Sequence, residues 1–171
     1  MKLKDITYTA LFISLTIVGS WISIPIGPVP ITLQLLFVLL SGLILGARLG
    51  FLSQVVYLII GAIGLPVFAN FKGGIVHIYG PTGGYLLAFP IASLIVGWIS
   101  KKKNDFINNL IASLVGIIII YLFGFLRLGI FLKDFKKAFF VGVVPFIAID
   151  LAKAFIAAFT AKRILKARTE H

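Results

Sequence analysis

Long apolar runs, broken by proline turns, glycines and short charged stretches, fill this sequence from Ile6 to Ala161. A helix that crosses a bilayer needs about 20 mostly apolar residues, because the hydrocarbon core is about 30 Å thick and each residue rises about 1.5 Å. Six runs meet or approach that length. They are Ile6–Ile24, Ile31–Gly46, Leu49–Leu65, Gly84–Ser100, Phe106–Leu126 and Ala138–Ala161. A proline-rich turn, Pro25-Ile-Gly-Pro-Val-Pro30, ends the first, Arg48 separates the second from the third, and Lys101-Lys102-Lys103 ends the fourth. Of the 171 residues 60% are hydrophobic and only 12% charged, about half the charged share of an average soluble domain. The expected fold is an all-α integral membrane protein, a six-transmembrane-helix bundle forming a single domain over residues 1–171.

The basic start and apolar first run also fit a signal peptide. No small-residue cleavage site follows, only the Ile-Pro-Ile-Gly turn, so a retained helix is expected. Lysine and arginine placement sets the orientation. With both termini cytoplasmic, the inner set is Lys2, Lys4, Arg48, Lys101, Lys102, Lys103, Lys162, Arg163, Lys166 and Arg168. The outer set is then Lys72, Arg127, Lys133, Lys136 and Lys137, half as many, and Lys153 lies within a span. The net charge of +11 would suit a nucleic-acid binder, but these cations sit at span ends rather than in one patch. The chain is read as multi-pass in the cell membrane, with the lipid bilayer as its solvent and no nucleic-acid partner.

Asp150 and Lys153 are the most informative pair. They interrupt an otherwise uncharged run, about twelve residues from either end, so on one continuous helix Asp150 lies roughly 18 Å deep. An ionised side chain there costs about 2.5–3.5 kcal/mol or more. A spacing of three puts both groups on one helical face, where they neutralise each other. That arrangement serves either as a structural ion pair or as a polar ligand site facing the bundle interior.

The segment Gly64–Tyr85 is dense in glycine and proline, which excludes a continuous helix. It is either an ordinary outer loop or irregular backbone lining a cavity, the one setting where membrane depth tolerates it. Thr32 and Gln34 place hydrogen-bonding groups at the entry to the second span, and Gln34 equally suits a helix–helix hydrogen bond. Small residues recur every fourth position at Gly42, Gly46 and Gly50, at Ala10 and Ser14, and at Ala154 and Ala158, each fitting close helix packing or a partner helix.

Signatures of catalysis are missing. The chain has no cysteine and none of the phosphate-loop, His-Glu-x-x-His or Gly-x-Ser-x-Gly motifs. Only one acidic residue lies inside a span, and His77 has no companion but the terminal His171, so no metal ligand set and no enzyme is read here.

Six segments in order carry a resemblance over nearly the whole chain: Gly27-Pro-Val-Pro-Ile-Thr-Leu-Gln34, Gly46-Ala-Arg-Leu-Gly50, Gly64-Leu-Pro-Val-Phe68, Gly80-Pro-Thr-Gly-Gly-Tyr-Leu86, Tyr121-Leu-Phe-Gly124 and Asp150-Leu-Ala-Lys153. The chain resembles the BioY family, the biotin-specific substrate-binding (S) components of energy-coupling-factor (ECF) vitamin transporters. The resemblance implies biotin binding from the outer face, with biotin as cargo and no cofactor. It also implies docking on a membrane coupling subunit and two ATPase subunits, through small residues that correspond to Ala10 and Ser14. The Asp-x-x-Lys pair of the family falls on Asp150 and Lys153. On this reading Asp150 accepts from a ureido N–H of biotin and Lys153 donates to the ureido carbonyl, although sequence alone equally allows Lys153 on the carboxylate. Tyr85, Asn70, Thr82 and Gln34 are further polar candidates, Phe68 is a ring contact and Lys72 is a partner for the carboxylate. The competing reading is a self-sufficient, proton-coupled secondary transporter of a small polar solute that titrates Asp150. No inverted repeat of the kind such carriers contain is visible.

Overall fold

The computed structural model describes residues 2–101 and 105–169, with only the backbone described for Arg168 and Thr169. Lys102, Lys103 and the side chain of Arg168, three of the expected inner cations, lie outside the described residues. Helix α1 (Leu3–Trp21) leads into a two-stranded antiparallel ribbon, β1 (Ser23–Ile24) with β2 (Ile31–Thr32), closed by the Pro25–Pro30 turn. Then come α2 (Gln34–Ala62), a 3-10 turn Ala69–Phe71, α3 (Ile75–Tyr79) and α4 (Gly83–Ser100). The chain continues with α5 (Phe106–Leu132), α6 (Phe135–Gly142), a 3-10 turn Val144–Phe146 and α7 (Ile147–Thr169).

α2 is two helices rather than one. Gly46 has φ 79° and ψ 176°, a conformation close to glycine-only, and the chain reverses there. A Cβ on Gly50 would lie 3.0 Å from the Cα of Gly42, eight residues away, whereas in a straight helix they would be about 12 Å apart. Near the other end of this hairpin Gln34 Nε2 donates to Tyr57 Oη at 2.5 Å. The second and third expected spans are therefore its arms, 34–45 and 47–62. The turn falls at Gly46, two residues before the cation expected to mark it. With α1, α4, α5 and α7, the arms make six long helices among the described residues.

Two expectations at the chain's second half need correction. The run Ala138–Ala161 is not one helix: α6 ends at Gly142, and Pro145, which has no N–H to donate, stands in the 3-10 turn before α7. Asp150 consequently sits in the first turn of α7, not midway along a span. The fifth helix does not stop at Leu126. It continues through Arg127 to Leu132, where Lys133 closes it in the left-handed conformation with φ 53°. The expected basic loop Arg127–Lys137 is thus mostly helical. Asp134 caps α6 by accepting from the Lys137 amide at 2.9 Å, and Asp105 caps α5 in the same way from Asn108 at 2.7 Å.

Small residues bring the helices together. A Cβ on Gly42 would lie 2.5 Å from the carbonyl oxygen of Ser93, and one on Gly97 would lie 2.3 Å from the Ala47 amide, so the α2 hairpin and α4 are in backbone contact. Ala154 and Ala158 are wholly buried in the bundle. Ala10 and Ser14, by contrast, are exposed on α1, where Ser14 Oγ donates to its own helix at the Ala10 carbonyl. Inside the bundle, polar bonds take over where lipid supplies no hydrophobic drive. Gln54 reaches Thr16 Oγ1 and Ser41 Oγ, and Ser41 meets Ser93 at 2.9 Å, joining α1, α2 and α4.

The outer surface is apolar: Ile59, Trp98, Ile118, Leu122 and Phe155 are each more than half exposed, far beyond what water tolerates over so large an area. Among the described residues four stretches have the length and hydropathy of a membrane span: α4 and α5 as single helices, and Gln34–Ala62 and Phe135–Ala167 when counted through the breaks at Gly46 and Pro145. This is a membrane protein. Its charges divide between the two ends. Arg48, in the hairpin turn, shares a depression with Lys2 and Asp5, while Arg127 and Lys72 lie with the loops at the opposite end.

Candidate ligand-binding site

At that opposite end, two irregular segments and parts of α5 and α7 border a cavity of about 450 Å³, within the range usual for small-ligand sites. One wall is the turn Pro25–Pro30 with the entry to α2. Prolines fix it at short range by locking φ and withdrawing backbone donors. The second wall is the segment between α2 and α4. Here Phe68 N–H donates to the Lys72 carbonyl at 2.8 Å, pinching off a loop in which Asn70 and Phe71 both take the left-handed conformation. The start of α7 and the middle of α5 form the third side, and Phe89, Ile120 and Phe146 supply apolar surface.

All eight residues singled out as ligand contacts line this one cavity: Gln34, Phe68, Asn70, Lys72, Thr82, Tyr85, Asp150 and Lys153. The segment Gly64–Tyr85 is therefore a cavity wall, not a detached loop. Ala10 and Ser14 do not line it.

Asp150 and Lys153 are 3% and 4% exposed, and Lys153 Nζ donates to Asp150 Oδ1 at 2.6 Å. Placement in the first turn of α7 also sets the carboxylate at the positive end of the helix dipole, which lowers the cost of its burial. Tyr121 Oη donates to the other oxygen, Oδ2, at 2.7 Å. Each carboxylate oxygen keeps a second acceptor position, and the ammonium keeps two of its three N–H groups. The site therefore offers a ligand adjacent acceptors and donors, dehydrated and charged.

The other candidates divide by what already holds them. Tyr85 Oη donates to the Gly142 carbonyl at 2.7 Å, which ties α4 to the end of α6, and its ring lies against Gly124, where a Cβ would clash. Gln34 makes the helix–helix bond with Tyr57 and also lines the cavity. Tyr57 Oη passes its own proton to the Val67 carbonyl at 2.9 Å, and Ser20 Oγ donates to the same carbonyl at 2.7 Å. Trp21 Nε1 donates to Pro66 O at 2.8 Å and its ring stacks on Phe71, while Ser23 Oγ bonds Asn70 Oδ1. The end of α1 thereby carries the loop that presents Phe68 and Asn70. Phe68 is buried edge-on to Tyr57, and Lys72 is exposed at the mouth.

Two cavity residues, His77 and Tyr121, and Arg127, which braces a wall without lining the cavity, escaped the sequence reading. His77, assigned no role, lines the wall edge-on to Phe68, and burial first, then the Lys72 ammonium, lowers its pKa. Arg127 donates to the carbonyls of Tyr79 and Gly80, the free end of α3, and so holds that wall against α5. Tyr121 is the third. It belonged to a quoted motif, and a tyrosine amid an uncharged run signals a hydroxyl in need of a buried partner.

Comparison with known proteins follows the same line. The model of the BioY family matches residues 1–170. A probable biotin transporter BioY of Pyrococcus horikoshii is 52% identical over 96% of this chain and 98% of its own length. The biotin transporter BioY of Thermotoga maritima is 44% identical over 98% of this chain and 99% of its own. Among solved structures, a crystal structure of the S-component for biotin from an ECF-type ABC transporter matches with a TM-score of 0.89 at 30% identity, covering 96% of this chain and 92% of the other. With its sequence matched over nearly its whole length and its fold matched as well, the chain belongs to the BioY family.

Proposed function

We propose that this protein captures biotin in the cavity walled by Asp150 and Lys153, as the substrate-binding component of an ECF-type vitamin uptake transporter. Separate ATPase subunits and a membrane coupling subunit supply the energy. The observation that carries this reading is a dehydrated, oppositely charged pair spending only part of its hydrogen-bonding capacity on itself, beside a cavity of small-ligand size. Biotin's ureido group has two N–H donors and a carbonyl with two lone pairs. The two free acceptor positions on Asp150 and the two free N–H groups on Lys153 answer that set. The fused ring packs on Phe68 and the neighbouring apolar surface, and the valerate carboxylate extends to Lys72 at the mouth.

Biotin is cargo, and the reading requires no cofactor and no chemistry on the ligand. It places the chain in the plasma membrane with both termini cytoplasmic and the cavity outward. The exposed small residues Ala10 and Ser14 on α1 are the proposed contact with the coupling subunit.

A proton-coupled carrier is the competing reading. Membership of the BioY family and the likeness to an S-component for biotin from an ECF-type ABC transporter favour the binding-subunit reading. Uptake of labelled biotin distinguishes the two. Cells expressing this chain with the ATPases and coupling subunit accumulate biotin, and inactivating the ATPases abolishes accumulation. Accumulation by the chain alone in proteoliposomes, driven by a proton gradient and collapsed by a protonophore, would overturn the proposal.

A further inference from the structure

The geometry points to Tyr121 as a positioning residue of the site: its hydroxyl, donated to Asp150 Oδ2, fixes the carboxylate so that its free lone pairs stay presented to the cavity. The inference rests on the biotin-binding reading and goes beyond it by assigning a role to a residue outside the Asp-x-x-Lys pair.

Tyr121 lies on α5 and Asp150 on α7, twenty-nine residues apart, joined at 2.7 Å. Lys153 grips the other carboxylate oxygen at 2.6 Å, from one turn further along Asp150's own helix. With Lys153 alone, the carboxylate would be held at one oxygen and would remain free to turn about χ2, a broad, two-fold torsion. A turn of that kind swings the remaining lone pairs away from an incoming N–H. The bond from α5 removes that freedom before the ligand arrives, and such preorganisation is where ligand affinity is gained.

Tyr85, the other tyrosine that lines the cavity, does not share this work, because it donates to the Gly142 carbonyl at 2.7 Å. Tyr121 gives its proton to Asp150, so toward a ligand its oxygen has only an acceptor to offer.

A double-mutant cycle tests the assignment on the purified full chain in detergent, read as the Kd for biotin. Tyr121→Phe keeps the ring and removes only the donor, and is expected to raise Kd about tenfold, the size of a hydrogen bond to a charged group. In the Asp150→Asn background the same change is expected to cost less than about twofold, because the carboxylate it positions is gone. Thermal unfolding of each variant separates loss of fold from loss of alignment. A Tyr121→Phe protein that binds like wild type overturns the inference. So does an equal loss in both backgrounds, which would make Tyr121 a direct ligand contact. A wild-type chain that binds no biotin overturns the functional reading itself and the inference with it, and the cycle tells these failures apart.

Discussion

Replacing Asp150 by asparagine separates a ligand site from a structural ion pair. Asparagine keeps the volume and one acceptor but removes the charge, so every ligand N–H that Asp150 accepts changes from a charge-assisted bond to a neutral one. The difference is about 1.4 kcal/mol per bond, or roughly tenfold in Kd. Stability suffers for a second reason. Lys153 is 4% exposed and loses the carboxylate 2.6 Å away, and a buried charge left without its partner costs about 3–5 kcal/mol. Adding Lys153→Met removes that stranded charge. The double variant should therefore regain thermal stability toward wild type and lose biotin affinity further, because both polar anchors of the ligand are gone. Calorimetric titration of biotin into ligand-stripped protein, paired with thermal unfolding, reads both effects. If the double variant recovered affinity together with stability, or if Asp150→Asn bound biotin as tightly as wild type, the pair would be structural and the reasoning refuted.

Further expectations follow from the same geometry. Gly46→Val places a β-branched residue at φ 79°, where the α2 hairpin reverses, and should lower stability by about 1–3 kcal/mol, seen as a lower unfolding temperature. Arg127→Ala frees the carbonyls of Tyr79 and Gly80 and should speed amide exchange around residues 79–82 and accelerate biotin release several-fold, with helical content unchanged by circular dichroism. Tryptophan at Ala10 and Ser14 together should leave biotin affinity within about twofold of wild type, since neither residue lines the cavity, yet block co-purification with the coupling subunit. Retained co-purification would remove α1 as the docking face.

Much of this fold was legible because membranes penalise ambiguity. Apolar runs give the helices, and prolines and glycines give the breaks at Pro25–Pro30 and Gly64–Tyr85. The paired spacing of Asp150 and Lys153 identifies the cavity's polar end. What the runs conceal is a break without a change of polarity. Val143, Val144, Pro145 and Phe146 are as apolar as a helix interior, so only Pro145 signalled that α7 begins afresh. Arg127 looked like the end of a span because a cation in lipid is costly, yet backbone carbonyls at the helix end satisfy it. Tyr121 gave only a weak signal, for a related reason. A neutral hydroxyl adds little to the hydropathy pattern, and its importance lies in proximity across twenty-nine residues. That eight residues from α2, the 64–82 segment, α4 and α7 share one cavity follows from no local rule. The family resemblance supplied the grouping and the fold supplies its geometry.

The most direct test of the whole account is saturation binding of labelled biotin to the purified, ligand-stripped chain on its own, with no partner subunits present. One biotin per chain, bound saturably and competed by unlabelled biotin, is the predicted result. A folded chain that takes up no biotin at any concentration would contradict it.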